Sequence, residues 1–293
     1  MTVEDQGAGS TVPRRQLGRY LAELRAKAGL TTRAAARYLE WSETKIWRIE
    51  TGKTPLRSLD VKAMCEIYQA PGDLTEALCA LARTTKDKGW WHAYGEVIPE
   101  GFDLYIGLEA AASQLDTYET DLVPGLLQTA DYAQQIMQAD HQDNGSLDAR
   151  VSLRVQRQAL LTRPKGAPTF NVVLSETVLR RVIGGPTIMR DQLQHLLETS
   201  QMDHVDIRVV PFGAGLHPGV MTGAFTILQF PPGLNGVPSE PRTVYCDGYT
   251  GALYLDKERE TREYADGFQA IWDAALSPHE STELITETAG SYA

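Results

Sequence analysis

The sequence predicts a mainly α chain: a helix-turn-helix module at the N-terminus, then an α+β domain with a small mixed sheet. Three observations predict it. Residues 14–57 carry apolar residues at helical spacing, interrupted twice by short turns with capping residues. Residues 105–276 mix helical periods with short alternating or β-branched runs. Charge divides along the same line: residues 14–88 hold 15 Lys and Arg against 9 Asp and Glu, a net of +6, whereas residues 89–293 hold 13 against 27, a net of −14. Glu4 and Asp5 supply the rest of the chain's −10. The overall acidity argues against nucleic acid, but the split shows a basic module, suited to phosphate, fused to an acidic one.

In the basic module, Leu17, Leu21 and Leu24 form the ladder of a first helix that Gly29 ends. Thr31 or Thr32 caps a second, whose Ala34, Ala35 and Ala36 allow close packing. After a turn at Glu40-Trp41, Ser42 caps a third helix running to about Glu50, and Thr51-Gly52 stops it. Two short helices joined by a tight turn are the unit that sets its second helix in the DNA major groove. On the third helix, Ile46, Ile49 and Glu50 share the inward face, with Thr44 and Arg48 opposite, flanked by Glu43 and Trp47 on one side and Lys45 on the other. Arg48 suits a guanine edge, Glu43 a cytosine amine and Thr44 a thymine methyl or a phosphate. Lys45, Lys53 and Arg33 suit phosphates. Thr32 and Ser42, at the starts of the two helices, complete the expected DNA-binding set.

Residues 17–69, and SETKIWRIETGKTPL above all, resemble the Xre, or lambda-repressor-like, DNA-binding domain. The resemblance implies a five-helix fold completed by helices over Leu59–Tyr68 and Asp73–Arg83. It also implies an ion pair between Arg25 of the first helix and Glu50 at the end of the third, and an inward-facing Glu50 would be costly without one. Where this family often has a glycine in the turn, the chain has Glu40, which is expected to take a positive φ.

The acidic part reads as helices over about 105–119, then DYAQQIMQAD and SLDARVSLRVQRQALLTRP. A strand over 169–174, a helix capped by Ser175, another from TIMRDQ and a strand VDIRVVP follow. Strands at 223–230, 242–248 and 252–256 precede a closing helix, which gives an α+β domain. Adjacent Trp90 and Trp91 just past a polar linker either anchor that linker or form a weak candidate surface for a partner or ligand. Pro124-Gly125 marks a corner. Cys65, Cys79 and Cys246 lack zinc spacing, which suggests reduced thiols in a cytoplasmic protein. The first residues lack a basic start and an apolar run, so no secretory signal is expected, and no 20-residue apolar run occurs. No metal or cofactor is expected: His195, His204 and His217 could be assembled into a metal site only on paper, and no nucleotide-binding or hydrolase motif occurs. The domain is therefore expected not to be an enzyme.

YETDLVPGLLQTADYA (118–133), RQALLTRP, VVLSETVLRR and ALYLD resemble segments of the actinobacterial Xre-type regulators of the WhiJ-like, antitoxin-like group. That resemblance spans residues 17–275 and implies transcriptional control, with a small BldB-like protein as partner. The expected organisation is a disordered tail over 1–12, the helix-turn-helix domain over 13–84, a linker over 85–104, an α+β effector or partner-binding domain over 105–279 and a tail over 280–293. The expected protein is a homodimer on double-stranded DNA, tuned by a partner or a small-molecule effector and independent of membranes. The alternative is a DNA-targeted enzyme, or a partner-binding protein whose C-terminal domain carries the main activity.

Overall fold

The apolar ladder forms α1 (Thr11–Lys27), followed by α2 (Thr32–Tyr38), α3 (Glu43–Glu50), α4 (Ser58–Ile67) and α5 (Gly72–Thr84). This computed structural model describes residues 11–85, 90–94, 96–99, 102–139, 146–233, 236–249 and 251–292. Residues 1–10 of the tail expected over 1–12, and parts of the expected linker, lie outside them. α1 starts at Thr11, slightly ahead of the expected domain start. Leu17, Leu21, Ile46, Ile49, Val61, Met64 and Leu78 form a single core for the five helices. Gly18 is required where α1 crosses α3, because a Cβ there would lie 2.5 Å from the Ile49 carbonyl oxygen. Thr31 caps α2, its hydroxyl accepting from the Ala34 N–H at 3.1 Å, and Ser42 caps α3 by accepting from Lys45 N–H at 3.1 Å. Glu40 has φ 55°, the left-handed turn that its place in the motif demands.

The remaining elements are α6 (Phe102–Ala111), β1 (Gln114–Glu119), α7 (Ala130–Ala139), α8 (Leu147–Thr162), β2 (Thr169–Ser175), α9 (Glu176–Arg180) and α10 (Pro186–Thr199). Then come β3 (Val205–Val210), α11 (Gly219–Thr222), β4 (Phe225–Gln229), β5 (Thr243–Cys246), β6 (Leu253–Leu255), α12 (Glu258–Ala274) and α13 (Pro278–Gly290). Among the described residues the strands make one six-stranded mixed sheet, ordered β3-β2-β1-β4-β5-β6. β1, β2 and β3 are parallel, joined by helical crossovers; β4, β5 and β6 continue antiparallel from β1. Tyr118, Val173, Phe225, Ile227 and Val244 line one face and pack with Phe268 and Ile271 of α12. The chain is thus mainly α with an α+β C-terminal domain.

Two expectations are corrected. The helix expected over 105–119 stops at Ala111, and Gln114–Glu119 is the strand at the middle of the sheet. Pairing on both sides of β1, with Leu115, Thr117 and Tyr118 buried, overrides the local helical pattern. The C-terminal residues expected to fray form α13, fixed by a capping box between Ser277 and Glu280 and by buried Ser281, Ile285 and Thr288. The chain divides into two compact units that are not collinear with the sequence. Among the described residues, the first takes in those of Met1–Ala93, Asp103–Ala111 and Pro231–Glu240, and the second those of Tyr94–Phe102, Ala112–Phe230 and Pro241–Ala293.

Candidate nucleic-acid interface

The recognition surface is built from α3 outward. Ile46 and Ile49 are buried at 0% and 2% exposure and turn the opposite side of the helix to solvent. From behind, Arg25 grips Glu50 with two hydrogen bonds, Nε to Oε1 at 2.6 Å and Nη2 to Oε2 at 2.8 Å. Arg25 Nη1 also donates to the Leu30 carbonyl at 2.9 Å, tying the turn before α2 into the same arrangement. The hydrogen bond to Glu50 holds the Arg25 guanidinium above its usual range. Burial first, and then the Glu50 charge, push the nearby Tyr68 phenol up as well. Two flanking helices and a turn thus fix the pitch of α3.

The exposed side carries the residues expected there. Ser42, Glu43, Thr44, Trp47 and Arg48 are exposed, and Lys45 is half-buried. Arg33 and Lys53 are exposed and Thr32 half-buried. Arg33 Nε lies 3.8 Å from Glu43 Oε1, which brings the first turns of α2 and α3 together. Both side chains are more than half exposed, so the pair holds neither tightly. Lys45 Nζ sits 3.3 Å from the Trp41 ring centroid and Lys53 Nζ 4.4 Å from that of Trp47. Aromatic faces therefore prop both ammonium groups with their hydrogen-bond donors still usable. Two helix N-termini, capped by Thr31 and Ser42, add partial positive charge to the same edge of the motif.

Three further charged residues of this unit escaped the sequence reading. Glu240, at 0% exposure, accepts from Arg15 Nε at 3.2 Å and from Arg19 Nη1 at 2.8 Å. Arg19 also donates to the Ser239 carbonyl. The segment Pro231–Glu240, which connects β4 to β5, thus belongs to the same compact unit as α1 and fastens onto it. The other end of this surface is equally close-packed: Gly52, at φ +70°, lies against the Arg15 backbone, where a Cβ would meet Arg15 Cα at 2.8 Å. Arg15 therefore adjoins the loop that carries Lys53. More than 220 residues separate Glu240 from its partners, so no local pattern could reveal it.

The other sites named from sequence fall elsewhere. Trp91 is 1% exposed and meets Trp90 edge to face at 6.0 Å, whereas a partner surface would need it reachable. Pro124 leads a 3-10 turn, Gly125–Leu127, with Leu126 and Leu127 buried. Gln192 ties that corner down, donating to the Leu127 carbonyl at 2.7 Å and accepting from Thr129 N–H at 2.8 Å. Of the histidines, His204 Nε2 lies 2.9 Å from the Leu161 carbonyl, and His217 stands edge-on to Tyr118 at 6.0 Å. Among the described residues no helix is long and apolar enough to cross a membrane.

Comparison with known proteins agrees with this division. Residues 16–78 match the family described as a helix-turn-helix domain, the architecture of DNA-binding heads. Residues 102–287, more than half of the chain, match a domain of unknown function, DUF5753. No curated protein and no solved structure matches the chain. The chain therefore belongs to the DUF5753 family and carries a helix-turn-helix domain at its N-terminus.

Proposed function

We propose that the protein is a cytoplasmic, sequence-specific transcription regulator that sets α3 in the DNA major groove. The observation that carries this reading is the exposed row Glu43, Thr44, Trp47 and Arg48 on a helix pinned from behind by Ile46, Ile49 and the Arg25–Glu50 pair. Arg48 reads a guanine through O6 and N7, while Glu43 and Thr44 read neighbouring bases. Arg33, Lys45 and Lys53 meet phosphates, which position the head without specifying sequence. One such head is a small interface, so a homodimer reads two half-sites about 10 base pairs apart. The DUF5753 domain is the sensing part, answering to a small molecule or to a small protein of the BldB-like kind, without catalysis of its own. Kinship with the WhiJ-like, antitoxin-like regulators rests on the sequence segments that resemble theirs.

Genomic-fragment selection with the purified protein tests this. A short near-palindromic site should emerge, with an affinity that falls steeply as salt rises. On that site Arg48→Ala should cost about 1–3 kcal/mol and relax preference at one base pair. Lys53→Ala should weaken all sequences alike and reduce the salt slope by about 1. Unchanged operator affinity in Arg48→Ala would overturn the docking.

A further inference from the structure

The connection from β3 to β4, within the second unit, turns a row of large apolar side chains to solvent. Phe212, Leu216, Val220 and Met221 are each at least 60% exposed, Leu216 and Met221 at 82%. β3 and β4 are separated in the sheet by β2 and β1. The connection therefore crosses the carboxyl ends of those two strands, a distance of about 14 Å at the usual strand spacing. Val210, at its start, pairs with Ser175 at the end of β2, and Phe225, at its finish, pairs with Tyr118 near the end of β1. The four side chains thus share one end of the sheet.

The segment is fixed from below. Phe212 N–H donates to Glu176 Oε2 at 2.8 Å, and Ala214 packs against the core under α12. Gly219 lies on the Tyr118 ring, where a Cβ would come within 2.5 Å of Cε1. Pro218 Cα-linked turns close α11 behind it, with Met221 N–H donating to the Pro218 carbonyl at 2.9 Å. A partner would therefore meet a surface that is already ordered, which lowers the entropy cost of docking.

Charge says which partner suits it. No Asp, Glu, Lys or Arg occurs over 209–239, in a chain of which 23% is charged. The rest of the acidic part gives residues 89–293 a net of −14. A basic partner would be drawn to that acidic surface rather than to a neutral one. A second copy brings the same negative charge, so two copies approach best where neither carries any. Size agrees. The four side chains open on the order of 500 Å² of surface, the upper part of what an ordinary monomer shows in one patch. Two such patches face to face bury about 1,000 Å², the least that a specific interface needs. Phenylalanine and methionine are also residue types that interface cores favour over charged ones.

We infer that residues 212–221 form the surface on which a second copy of this chain docks, patch against the same patch about a two-fold axis. This places the contact of the dimer proposed above in the DUF5753 domain, and it rests on that reading only for its consequence on DNA.

The test is sedimentation velocity of the full chain without DNA. The parent should be a dimer at about 50 µM chain. Leu216→Asp combined with Met221→Asp should weaken association by about a hundredfold or more, because the contact would then bury carboxylates without partners. Both side chains are largely exposed, so the far-UV circular dichroism of the variant should match the parent. Leu59→Asp, which changes an exposed apolar residue of the head, should leave association as it is. A parent that is monomeric at that concentration leaves the patch to another protein and overturns the inference. A dimer that survives the double substitution, or that Leu59→Asp dissolves, overturns it too. Operator binding keeps the two proposals apart. The double variant should lose affinity for paired half-sites and keep it for a single one. A parent that dimerises through the patch yet binds no operator leaves the surface standing and removes the regulator.

Discussion

The Arg25–Glu50 pair should behave as a clamp whose halves are worth little apart. Its side chains are 17% and 11% exposed and joined by two short bonds. Removing one partner of a fully buried pair costs about 3–5 kcal/mol, because the other charge is left without compensation. In Glu50→Ala, Arg25 keeps the Leu30 carbonyl and some access to water, so the expected loss is about 2–3 kcal/mol. Replacing both with apolar residues of similar volume, Arg25→Met with Glu50→Leu, removes the stranded charge and should return to within about 1 kcal/mol of the parent. Hydrogen exchange at the α3 amides of the full chain reads the effect locally. Protection there should drop by about 30–150-fold in Glu50→Ala and largely recover in the double variant. A loss below threefold in the single variant, or no recovery in the double, would refute the clamp.

Further outcomes follow from Glu240 and Glu119. Glu240→Gln keeps the shape of the 231–240 connection but removes the charge that holds Arg15 and Arg19, so proteolysis within that segment should accelerate about tenfold. The same variant frees the positive charges of Arg15, whose backbone adjoins Gly52, and of Arg19, so the salt slope of DNA binding should steepen; an unchanged slope would mean that neither arginine reaches phosphate. For Glu119, whose usual 4.5 is raised to about 8 by burial and by Asp247 and Asp121, the folded state holds the proton more tightly than the unfolded chain. Stability should therefore fall as pH rises from about 4.5 to about 8, by at most about 1.4 kcal/mol per unit, and denaturant titrations of Glu119→Gln should lack that slope.

The head was legible because its signals are local. A ladder at 17, 21 and 24, caps at 31 and 42 and stops at 29 and 52 lie within one turn of the backbone they control, and the structure uses each of them. The inward and outward faces of α3 followed from periodicity alone. β1 was not legible, because LDTYE takes its conformation from β2 and β4, more than 50 residues away. The row Arg150, Arg154 and Arg157 of α8 was in plain view, at the same spacing as the apolar ladder of α1. It went unread because arginine on a helix is ordinarily solvated; what marks it is its place beside Leu153, Leu160 and Leu161 on the buried side.

The connection from β4 to β5 sets what an effector could do. Glu240, at the end of that connection, holds Arg15 and Arg19 of α1. Any ligand changes DNA affinity only if it binds more tightly to one arrangement of this short segment than to another. Glu240 supplies a reason for such arrangements to be discrete. A buried carboxylate that loses both arginines must also leave its burial site, because an unpaired buried charge is too costly to keep. Losing that site would free Arg15, which adjoins the loop that carries Lys53, together with Arg19. To move such an equilibrium from 1:99 to 99:1, a ligand must favour one state by about 10⁴-fold.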